Sequence, residues 1–86
     1  MKFGDKLMKY RPMQTIIRVP KAQAAFVYFI LESHEGLCFY STLEGSIGTN
    51  YRDIEINYTI KLEKELSYVL GQLSKNIPIQ FIKNSI

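Results

Sequence analysis

Few residues in this 86-residue chain are of a type and spacing that could do chemistry, and each has a plainer use. Ser33, His34 and Glu35 stand side by side like the members of a hydrolytic trio. Neighbours on a helix point in different directions, however, so Ser33 could not hand its proton to His34. In a last helical turn His34 suits a cation or donor near unsatisfied carbonyls, a ligand or pH-sensing role being the alternative. Cys38, the single cysteine, has no His or cation beside it in sequence to stabilise a thiolate, so it reads as a semi-buried structural thiol. Gly45 and Gly48 flank Ser46 and Ile47 as an anion nest would, but turn geometry accounts for both. No catalytic, cofactor or metal site is assigned, no cofactor is expected, and the chain is read as non-enzymatic.

Charge is the second source of chemistry. The net charge is +3 and unevenly spread. Lys2, Lys6, Lys9, Arg11, Arg18 and Lys21 face Asp5 alone, whereas residues 22–60 carry Glu32, Glu35, Glu44, Asp53 and Glu55 against Arg52. The cations Lys2, Lys6, Lys9, Arg11 and Arg18 are therefore the candidate anion contacts, and a weak, salt-sensitive nucleic-acid binder is the alternative function. Specific RNA recognition is not expected. An RNA-binding sheet needs aromatic side chains on its open face, and the face expected here carries Gln14, Ile16, Arg18, Asp53, Glu55 and Asn57. Tyr40 alone makes no stacking platform.

The elements that must hold these residues follow from periodicity and punctuation. Residues 1–12 lack a clean period and form a basic arm ahead of one domain, residues 13–86. Met13 to Val19 is β-branched and apolar enough for a strand. Pro20 suits the first turn of a helix that ends at Gly36, the usual left-handed terminator. Leu37 to Leu43 forms a second strand, with residues 44–50 as the loop of a hairpin. Tyr51 to Ile60 alternates, Ile54, Ile56, Tyr58 and Ile60 against Asp53, Glu55, Asn57 and Thr59, as a strand with one buried and one wet face does. Leu62, Leu66, Val69, Leu70 and Leu73 mark a one-sided helix ending near Asn76. Ile77 to Ile82 is a last strand, which Pro78 puts at a sheet edge. The order β-α-β-β-α-β implies an α+β, ferredoxin-like sandwich, its four antiparallel strands ordered 4-1-3-2 with both helices on one face. One cysteine excludes an iron–sulfur ferredoxin.

The first helix is apolar nearly all the way round. Ala22, Ala25, Phe26, Phe29 and Ile30 form one stripe, and Ala24, Val27, Tyr28 and Leu31 form another. A surface helix of a small domain needs one apolar face, so the second stripe is assigned to an oligomer interface. The expected partner is a second copy, a dimer being favoured, with a small molecule or protein at the interface as a further option. The aromatic load of Phe26, Tyr28, Phe29, Tyr40, Tyr51 and Tyr58 also suits an interface. No stretch approaches the ~18–20 apolar residues of a membrane span, so no membrane partner and a cytoplasmic location are expected.

The block from Arg18 to Gly36, with Phe29-Ile-Leu-Glu32 and Gly36 followed by Ser41-Thr-Leu43, resembles a small uncharacterised bacterial domain family. Its members carry F-I-L-E-x-x-[DE]-G and then T-L-[DE], and the likeness spans residues 14–82. The family implies no activity. The element pattern also looks like that of ACT-type regulatory domains, which associate and often bind amino acids at their interfaces. Those domains carry a glycine between first strand and first helix; here the turn is Val19-Pro20-Lys21, a departure that argues against amino-acid binding.

Overall fold

The computed structural model describes residues 11–83. β1 (Pro12–Pro20) begins and ends on prolines, which lack the N–H an interior ladder position would need. It pairs antiparallel with β3 (Tyr51–Thr59) along its whole length, from Pro12 opposite Thr59 to Pro20 opposite Tyr51. β2 (Phe39–Thr42) flanks β3, and β4 (Gln80–Lys83) flanks β1. The sheet order is β2-β3-β1-β4; read from the opposite edge it is 4-1-3-2.

Alternation sorts the faces. Met13, Thr15, Ile17 and Val19 on β1, with Ile54, Ile56 and Tyr58 on β3, are buried, while the residues between them are half-buried. α1 (Ala24–Ser33) buries Ala24, Val27 and Leu31, and α2 (Glu63–Leu73) buries Leu66, Val69, Leu70 and Leu73. All join one core cluster with Leu37 and Ile77, so both helices cover the same side of the sheet.

The element boundaries differ from the periodicity at instructive places. Pro20 is not the first helical residue but the last of β1, with φ −60° and ψ 142°. Its fixed φ is compatible with either state, and ψ decides. One 3-10 turn, Lys21–Gln23, then precedes α1. α1 stops at Ser33, short of Gly36, because Leu37 N–H turns back to the carbonyl of His34 at 3.0 Å and Gly36 takes φ 80°. α2 likewise starts from a 3-10 turn, Ile60–Leu62, with Glu63 and Glu65 in its first turn, where negative charge meets the positive helix end. β4 starts beyond Pro78 and Ile79, two residues that pair with nothing in the ladder.

Candidate functional site

α1 has two apolar faces, and the fold turns them the opposite way from the sequence expectation. Val27 is 0% and Leu31 2% exposed, and Ala24 is buried with them under the sheet-facing side of the helix. These three residues belong to the core and not to an interface. The stripe of Ala22, Ala25, Phe26 and Phe29 is the outward one: Phe26 is 51% and Phe29 64% exposed, with Ile30 half-buried at its margin. Both stripes are apolar, so helical spacing cannot choose between them. Packing against the sheet makes the choice: the stripe with Ala24 and Val27 lies against it, and Phe26 and Phe29 stay outside.

Tyr28, the fourth residue of the expected interface, is half-buried and packs against β2. Its hydroxyl shares a hydrogen bond with that of Thr42. Its ring stacks on Tyr40, the planes 8° apart and the centroids 5.0 Å apart. Tyr40 donates its own hydroxyl to Glu32 at 2.5 Å, and that bond, with burial, pushes the phenol up to about 12. The pair ties the edge strand β2 to α1. Tyr40 therefore lies on the helix side of the sheet, opposite Ile56, and the aromatic on the open side is Phe39, 83% exposed and opposite Asn57.

Apart from the half-buried Ile16, the β1–β3 part of the open face is polar, and its side chains bond to one another. Arg18 donates from Nε and Nη2 to the two carboxylate oxygens of Asp53 at 2.7 and 3.1 Å. Its guanidinium lies 3.9 Å over the Tyr51 ring. Gln14 donates to Glu55 at 3.0 Å and to Asn57 at 3.2 Å, and accepts from Lys83 Nζ at 3.1 Å. Such bidentate and cross-strand pairs are the natural way to keep charges on a half-buried sheet face. Nε and Nη2 of Arg18 are thus committed within the fold, which ties its guanidinium to the β1–β3 ladder and not to a loose patch shared with the N-terminal cations. Arg11 is exposed and its carbonyl accepts from Ile60 N–H at 3.0 Å; Lys2, Lys6 and Lys9 lie outside the described residues.

The family described as "Domain of unknown function (DUF4911)" matches residues 17–77, from the middle of β1 to the turn before β4. The chain belongs to that family. The DUF4911 segment holds the whole of α1 and the Arg18–Asp53 pair, while Gln14 and Lys83 fall outside it. No curated protein and no solved structure matches the chain.

Within the DUF4911 segment the remaining sequence candidates are structural in their contacts. Ser33 donates its hydroxyl to the carbonyl of Ile30 at 2.7 Å, away from His34, and His34 is an exposed cap whose backbone makes the turn. Cys38 is a half-buried thiol that burial pushes up to about 11. The loop around Gly45 and Gly48 turns carbonyls rather than N–H groups inward: Nη1 of Arg52 donates to the carbonyls of Ser46, Thr49 and Tyr51 at 3.2, 3.0 and 2.8 Å. An internal cation holds this loop, the reverse of an anion nest. Gly48 supplies its left-handed turn, with φ 97°. Among the described residues no three His, Cys, Asp or Glu side chains gather to hold a metal, and no helix is long and apolar enough to cross a membrane.

Sequence reading missed the loop-holding role of Arg52, gave Tyr51 to an interface where its ring carries Arg18, and missed the outward role of Phe26 and Phe29. Arg52 had no local signal, since its acceptors are backbone carbonyls. The phenylalanines were visible, but on the wrong side.

Proposed function

We propose that this domain is non-enzymatic and works by pairing with a second copy of itself through the outward face of α1. One observation carries the reading: a single ten-residue helix buries Ala24, Val27 and Leu31 in its own core and still presents Phe26 and Phe29 to solvent on the other side. Adjacent large apolar side chains of this kind mark an interaction surface.

A second copy fits better than an unrelated partner for two reasons. Lys21 precedes the helix, and Glu32 and Glu35 stand at its far end. Antiparallel packing of two such helices about a two-fold axis sets Lys21 beside the partner's Glu35, whereas parallel packing sets like charges together. Beside the stripe, a hollow of about 260 Å³ between Phe26 and Ile30 of α1 and Gln72, Leu73 and Asn76 near the end of α2 can receive the partner's Phe29.

Area sets the strength. Phe26 and Phe29 leave roughly 200 Å² uncovered between them, well short of the ~800 Å² per partner of a stable complex. Ala22, Ala25, Ile30 and the exposed Tyr68, one turn before Gln72 on α2, must contribute. The dimer is therefore of roughly micromolar strength. Kinship with ferredoxin-like and ACT-like modules belongs to the same reading, supported by the β-α-β-β-α-β order, and a cytoplasmic location is proposed with it.

Sedimentation velocity across a concentration series tests it. The expected result is a monomer–dimer equilibrium for the natural chain and a monomer for Phe29→Lys. A strict monomer at high micromolar concentration removes the proposal.

A further inference from the structure

We propose that the hollow at the end of β1 is a binding site for a small organic monocarboxylate. It measures about 410 Å³, within the range of sites that hold small molecules. It opens where β1 runs out, where β3 begins and where the chain arrives at β4.

Its walls and its polar groups are of different kinds. Pro20, Pro78 and Ile79 supply a stiff apolar lining, and neither proline has an N–H to satisfy. Asn50 and Gln80 are exposed amides at the rim. Arg18 is the one charged side chain of the lining. Its Nε and Nη2 are held by Asp53, which does not itself line the hollow, and the guanidinium rests on the Tyr51 ring. Nη1, with two N–H donors, has no hydrogen-bond partner among the described residues.

That arrangement is an anchored donor. The carboxylate behind it and the ring below it fix the guanidinium, so an incoming acceptor meets a fork that is already ordered. An anionic oxygen makes the strongest bond to such a donor. One cation, partly neutralised by Asp53, suits a single negative charge and not a phosphate dianion or a dicarboxylate. The apolar walls take the body of the ligand.

The test is an NMR titration of the full chain, ¹⁵N-labelled, with benzoate, butyrate, benzamide and inorganic phosphate. Benzoate or butyrate should shift the amides of Tyr51, Ile79 and Gln80 saturably, with a dissociation constant on the order of 1 mM. Benzamide and phosphate should bind roughly 10-fold more weakly, or not at all. Arg18→Gln should abolish the carboxylate shifts. Because that change also removes the bond to Asp53, Asn50→Trp, which fills the mouth and leaves the pair intact, must abolish them as well. Absence of saturable shifts with both carboxylates overturns the proposal. So does equal binding of benzamide or phosphate, or binding that survives Asn50→Trp. Self-association of the Asn50→Trp chain is expected to be unchanged, so the two proposals fail separately.

Discussion

Arg18 and Arg52 show how the same side chain is put to opposite uses according to what the backbone offers. Arg18 lies in the last third of β1, where its neighbours across the ladder are side chains, and it finds Asp53 and Tyr51. Arg52 lies one residue inside β3, where two carbonyls of the preceding loop and that of Tyr51 point at it, and one nitrogen donates to all three. Hydrogen bonds from a charged group contribute more than neutral ones, so Arg52→Met should lower stability by about 1–3 kcal/mol in urea denaturation. A smaller effect would mean that water replaces the guanidinium. Tyr40 gives a prediction in pH. Its phenol titrates at about 12 in the fold against an ordinary value of 10.0, so the folded state holds the proton more tightly than the unfolded chain. The stability from the Tyr40–Glu32 bond is then complete below pH 10 and is lost as pH rises from 10 to 12. Melting temperatures across that window should fall more steeply for the natural chain than for Tyr40→Phe; parallel slopes would contradict the assignment.

α1 is the element on which the functional reading turns, and its two sides are separable by mutation. Leu31 is 2% exposed, so Leu31→Ala should destabilise each subunit by about 2–5 kcal/mol, the usual cost of emptying a core site. Phe29 is 64% exposed and outside the core cluster, so Phe29→Lys empties no core site. Unfolding followed at concentrations below dimerisation should therefore leave Phe29→Lys close to the natural chain while Leu31→Ala falls. If Phe29→Lys lost as much, the outward stripe would be part of the core. The boundaries of α1 carry the same lesson. Gly36 was readable as the terminator because φ 80° is costly for other residues, but the stop at Ser33 depends on a turn that only the approach to β2 requires.

Assembly is where these parts meet. Lys21 and Glu35 bracket α1 with opposite charge, so Lys21→Glu should weaken the dimer and Lys21→Glu combined with Glu35→Lys should restore it. Such a charge swap has no effect on a contact made elsewhere, and sedimentation velocity at low salt would show it. Of the basic segment's cations, Arg18 is paired with Asp53 within the fold. What could be read from the amino acids alone was whatever depends on order along the chain: the six elements, the alternation of β1 and β3, the edge position announced by Pro78, and a helix with more apolar surface than one face needs. Spacing of two residues or of three and four is a local property, and a chain carries it openly. Which side of α1 meets the sheet, which carbonyls Arg52 finds, and that Tyr40 stacks inward on Tyr28 while Phe39 faces outward were decided only when the elements packed. Two equally apolar stripes are degenerate until packing against the sheet selects one, and a backbone acceptor has no signature in side-chain sequence.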